Sequence, residues 1–190
     1  MRGLCTKKFS FFGEFVYSGN YYCLAMSYPA SVIAALFVKR AIREHNYLTK
    51  MKLQKMVYIA HGYHLAKYEA PLINDQVQAW KFGPVVPVLY QDYKLYGSNA
   101  IVDTGLIKYR DFDQIEDSRI SESAKDAIDF TWKLTLNLSA AKLSDWTHID
   151  GSPWQKVYQD GAVEIPIENT IIKDYFTNFL YPNGKVNGQP

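Results

Sequence analysis

Cysteine is nearly missing from this 190-residue chain: Cys5 and Cys23 are the only two, and both lie in its first stretch. That excludes a disulfide framework or a zinc-ligand series in the body of the chain and fits a reducing, cytoplasmic setting. No apolar run approaches the ~20 residues that a membrane-crossing helix needs. A dominant charge is lacking too, since 21 Lys and Arg against 19 Asp and Glu leave a formal +2, with the basic residues scattered. Nothing here leaves an electrostatic footprint for nucleic acid. The chain has no GxGxxG loop, no P-loop and no GxSxG elbow, so the usual signatures of phosphate cradling and of an α/β-hydrolase nucleophile are absent. Residues 111 to 117 are acid-rich but lack the glycine turn and terminal glutamate of a calcium loop. No cofactor is expected.

What is abundant is aromatic surface. Fifteen Tyr, ten Phe and four Trp make up 15% of the chain, within a globular balance of 48% hydrophobic and 21% charged residues. Such a length and composition suit one domain with its own core. The N-terminus carries Lys7 and Lys8 before Phe9, Phe11, Phe12, Phe15 and Val16, a faint likeness to a secretion signal that Glu14, Ser18 and Asn20 interrupt. Regular patterning begins just after Met26. Residues 1–25 therefore read as an extension, flexible or lying ahead of the true start.

Pro29 suits a first helical turn, and Val32, Ile33, Leu36 and Phe37 recur at helical spacing up to about Asn46. Thr49 is placed to cap a second helix ending near Tyr68, with Leu53, Met56, Val57, Ala60 and Tyr63 on one face and Lys50, Lys52, Lys55 and Lys67 in water. From Pro71 the period changes. Leu72 and Ile73, the turn pair Asn74-Asp75, then Val77, Ala79 and Trp80 predict a short extended segment or hairpin. Pro87 opens a further helix carrying Val88, Leu89, Tyr93 and Tyr96, stopped by Gly97. Residues 98–118 read as a mobile polar connection with a short strand at Leu106-Ile107. Ser121, Ser139 and Ser152-Pro153 then cap three helices, and the last helix carries Ile171, Ile172, Tyr175, Phe176 and Phe179 before a frayed tail at 183–190. The sum is a mainly α domain of five to six short helices, with a small β element between the second and third.

Chemistry is sparse. His61 and His64, three apart on the second helix, have a spacing open to metal, but no HExxH glutamate accompanies them and the core reading is the stronger one. His148 with Asp145 or Asp150 has the residue types of an oriented general acid or base. A small hydrolase or nucleic-acid-processing enzyme would then need Ser144, Thr147 or Ser152 as nucleophile; the alternative is that His148 fixes the loop around Gly151. Trp80, Phe82, Tyr90 and Tyr93 form a third group, readable either as rigid anchors for a protein partner or as a staple joining the β segment to the helices.

Four stretches carry a resemblance when taken in order: "LTKMKLQKMVYIAHGYHLAKYEAPL", "QAWKFGPVVPVLYQDYKLYG", "LSDWTHIDGSPWQ" and "IPIENTIIKDYF". Together they resemble the Panacea domain family, the SocA-like antitoxins also described as phage-associated GepA proteins, over about Met26 to Leu180. The resemblance implies a helical domain at 26–182 that neutralises an unrelated protein toxin by binding it; one branch of the family is linked to delivery of its toxin to a cytoplasmic protease. It also implies a cytoplasmic, non-enzymatic protein. Its motif positions here are Leu53, Lys55, Ala79, Trp80, Gly83, Pro84, Val85, Tyr90, His148, Pro153 and Trp154, with Phe82 inside the same block. Many antitoxins add a DNA-binding module, and residues 1–25 resemble none.

Overall fold

The computed structural model describes residues 27–102, 119–162 and 164–182. The extension at 1–25, the strand expected at Leu106-Ile107 and the tail at 183–190 lie outside them. The helices are α1 (Ala30–Arg43), α2 (Lys50–Tyr68), α3 (Pro87–Asp92), α4 (Glu122–Thr135), α5 (Ala140–His148), α6 (Pro153–Val157) and α7 (Asn169–Leu180). The strands are β1 (Leu48–Thr49), β2 (Gln78–Trp80), β3 (Gly83–Val85), β4 (Ala100–Ile101) and β5 (Ile165–Pro166). The fold is mainly α, and the small β element between the second and third helices is present as β2 and β3.

Local chemistry sets the helix starts. Oxygens of Thr49, Ser121, Ser139 and Ser152 accept the N–H of Lys52, Ala124, Lys142 and Gln155 respectively, each satisfying one of the orphan donors of a first turn. α1 begins differently: Pro29 carries no capping side chain, and Asp75 Oδ2 reaches from 45 residues away to accept the Ala30 N–H at 2.6 Å. The Asn74-Asp75 turn thus caps the first helix.

α2 is the centre of the molecule. Every residue from Leu53 to Ala66 is buried, because α1, α4, α5, α7 and β3 all pack around it. This corrects the one-faced helix expected from the sequence, and it corrects Lys55, which is 1% exposed rather than in water. Tyr63 stacks on Phe130 of α4 at 4.1 Å, and Tyr58 meets Phe176 of α7 edge-on at 5.7 Å. Gly62 makes the α7 contact possible, since a Cβ there would overlap the Phe176 ring. On α3 the expected core is divided: Leu89 is buried along with Tyr93 and Tyr96 that follow the helix, whereas Val88 faces solvent.

Strand order is β3-β2-β5, all antiparallel, with Ala79 facing Pro84 on one side and Ile165 on the other. β5 arrives from far downstream, Ile165 pairing with Ala79, a pairing no local pattern announces. β1 and β4 form a separate antiparallel pair, Leu48 opposite Ile101.

Candidate functional site

Two neighbouring polar residues of α2 reach into the β2–β3 hairpin. Gln54 Nε2 donates to the Val86 carbonyl at 3.0 Å while its Oε1 accepts the Val86 N–H at 2.9 Å. A side-chain amide carries one donor group and one acceptor, so it satisfies both main-chain polar groups of one residue as a neighbouring strand would. Lys55 Nζ donates to the carbonyls of Phe82 at 2.8 Å and Pro84 at 3.1 Å. Those partners are dipoles rather than a carboxylate, and burial pushes the Lys55 ammonium down to about 7.

Gly83 sits over this amine with φ +99. A Cβ at that position would overlap Lys55 Nζ and stand 2.8 Å from Thr147 Oγ1 and 3.1 Å from His148 Cε1. Glycine is therefore required twice, for its backbone region and for its missing side chain.

α5 and α6 support the hairpin from the other side. Trp154 Nε1 donates to the Trp80 carbonyl at 2.7 Å, and the Trp154 ring lies 4.0 Å from that of His148 and stacks on Tyr158 at 4.4 Å. The His148 Nδ1 is 2.6 Å from the Ser144 carbonyl, an acceptor only, so Nδ1 carries the proton and donates. Neither Asp145 nor Asp150 bonds the ring, and both are exposed. The three hydroxyls considered as nucleophiles donate to main-chain carbonyls instead: Ser144 to Phe82 at 3.5 Å, Thr147 to Ser144 at 2.8 Å and Ser152 to Thr147 at 2.9 Å. His148 is thus bound into a loop-fixing network, and the Asp–His pair of the enzyme reading is not assembled.

The aromatic group separates into staple and tip. Trp80 is half-buried, its ring 5.1 Å from Tyr90, which in turn lies under the Lys50 ammonium at 4.2 Å. Tyr93 belongs to the core. Phe82 stands at the apex of the turn, 70% exposed, with Lys81 beside its ring. Of the other motif positions, Leu53, Ala79, Pro84 and Pro153 are buried and Val85 is half-buried. Sequence reasoning passed over Gln54; its signal was an amide set among apolar residues one position before Lys55.

His61 and His64 occupy the far half of α2. His61 Nδ1 accepts the Ile73 N–H at 3.4 Å and Nε2 donates to Asn169 Oδ1 at 2.9 Å; burial drives its pKa to about 4. His64 Nδ1 donates to the Ala70 carbonyl at 2.7 Å, its Nε2 accepts from Ser123 Oγ at 3.1 Å, and burial lowers its pKa as well. Both rings are neutral crosslinks with each nitrogen already used. Among the described residues no three His, Cys, Asp or Glu side chains gather as a metal would require.

The arrangement is that of a helical domain that braces a β-turn from both sides and leaves its aromatic tip outside. The chain belongs to the SocA-like antitoxin family: the model for "Antitoxin SocA-like, Panacea domain" matches residues 53–155, the stretch running from α2 through the hairpin to Trp154 and Gln155. It is similar to Antitoxin SocA of Caulobacter vibrioides (strain NA1000 / CB15N), with 27% identity over 156 residues that cover 79% of this chain and 83% of the relative. No solved structure matches it. No helix among the described residues is long and apolar enough to cross a membrane.

Proposed function

We propose that this protein is the antitoxin of a toxin–antitoxin pair and that it neutralises its toxin by binding it directly, in the cytoplasm and without catalysis. The observation that carries this reading is the family membership over residues 53–155, extended by the likeness to Antitoxin SocA along most of both chains. The clamped hairpin supports it physically. A preorganised aromatic tip loses little freedom on association, the property that makes such residues dominate protein interfaces.

Co-expression with the product of the adjacent gene tests the reading. Growth arrest by that product alone, rescue by this chain and co-purification of the two are the expected results. A toxic neighbour that is neither rescued nor bound would overturn it. Toxin half-life in the same cells, with and without the housekeeping cytoplasmic protease, separates masking from delivery to proteolysis: masking yields a stable complex, delivery a toxin level that rises when the protease is removed.

A further inference from the structure

Phe82 and Leu95 are the two most exposed large apolar side chains among the described residues, at 70% and 76%. Their settings differ. Leu95 rides on a single 3-10 turn, Lys94–Tyr96, that ends at Gly97. Phe82 rides on a hairpin whose backbone is held at Trp80 by Trp154, at Phe82 and Pro84 by Lys55, and at Val86 by Gln54. Main-chain groups this firmly bound keep the ring outside water-shielded packing, with Lys81 beside it among the described residues.

The first turn of α2, which precedes the Lys55 that holds the Phe82 carbonyl, has a definite character. Met51, 41% exposed, lies one turn before Lys55 on the same face of α2. Leu136, 36% exposed, is tied to that helix through its carbonyl, which accepts from Lys52 Nζ at 3.2 Å. Lys50 lies over the Tyr90 ring that packs against Trp80, Lys52 reaches the Leu136 carbonyl and Lys81 lies beside the Phe82 ring; among the described residues none of the three makes a salt bridge. Asp145, next to the Ser144 whose hydroxyl donates to the Phe82 carbonyl at 3.5 Å, is an exposed acidic side chain on the α5 side. Among these described residues the balance is positive.

We propose that the Phe82 turn, together with Met51, Leu136, Lys50, Lys52 and Lys81, is the surface that receives an acidic segment of the protein toxin, Phe82 inserting between apolar side chains of that segment. This rests on the direct-binding reading above and adds where the toxin binds and the chemistry of the part that is recognised. Burying a large aromatic at the centre of a contact supplies affinity, whereas a rim of unpaired lysines supplies orientation and rate, which salt screens.

The test is binding of the purified adjacent-gene product to the full chain and to three variants. Phe82→Ala is expected to weaken Kd about tenfold or more, as loss of a central anchor does. Lys81→Glu is expected to weaken it and to flatten its dependence on salt, while Lys173→Ala on α7 leaves both unchanged. Thermal unfolding accompanies each, because Phe82 and Lys81 are exposed and their replacement leaves Tm unmoved. Photo-crosslinking from p-benzoylphenylalanine in place of Phe82 is expected to capture a toxin peptide rich in Asp and Glu. A wild-type complex that Phe82→Ala and Lys81→Glu leave intact, or a captured peptide without acid, overturns this proposal and spares direct binding. Absence of any wild-type complex overturns both.

Discussion

The two halves of α2 bury the same kind of side chain for different ends. In the C-terminal half, His61 and His64 each satisfy both ring nitrogens against Ile73, Asn169, Ala70 and Ser123, and the network closes inside the molecule. In the N-terminal half, Gln54 and Lys55 are as deeply buried, but what they hold is the backbone of a turn whose side chain stays in solvent. Burial and hydrogen bonding alone do not separate a structural polar residue from one that serves a surface. The distinction lies in what sits on the other side of the bonded backbone: more core behind the histidines, an exposed aromatic behind the lysine.

The comparison is broken most forcefully at Gln54. Gln54→Leu keeps the volume and orphans both polar groups of Val86, at about 1–3 kcal/mol for each buried group. Urea unfolding should show the loss, and hydrogen exchange should show it concentrated in residues 78–86. Acid probes the other half. His61 is held neutral to about 4 against 6.5 when free, so the unfolded chain takes up its proton first. The His61 contribution to stability should be complete above pH 6.5 and fall on the order of 3 kcal/mol as pH drops toward 4, a loss read as a declining Tm. Gly62→Ala should cost about 1–3 kcal/mol by forcing Phe176 out of place, while leaving partner binding by the folded protein unchanged.

A second pH window sharpens the contrast. Lys55 is depressed to about 7 from 10.5, so between those values the unfolded chain binds more protons and stability should rise with pH. Lys55→Met should flatten that rise and leave the acid limb of His61 in place, which a Tm series from pH 4 to 10 resolves. The smallest effect belongs to Phe82→Ala, expected to change stability by no more than about 0.5 kcal/mol because the ring is exposed. A larger change would mean that Phe82 packs against the fold.

Local signals in the chain were sufficient for the mainly α class, for the caps at Thr49, Ser121, Ser139 and Ser152, and for the family blocks, since capping and apolar period act over a few residues. Pro87 at the start of α3 and Gly97 after Tyr96 were equally legible, each through a backbone property of its own. What local pattern could not contain is what distant segments do to one another. Lys55 reads as a wet lysine at helical spacing and becomes a buried clamp only because β3 lies across it. His148 beside two aspartates has the residue types of a catalytic pair as well as those of a loop fastener, and only the structure has its Nδ1–H donating to the Ser144 carbonyl. Trp80 and Phe82, two positions apart, look equivalent in the sequence; the hairpin lays one ring against Tyr90 and leaves the other at the tip. Residue type and spacing decided which elements form, and packing between elements decided which side chains face water.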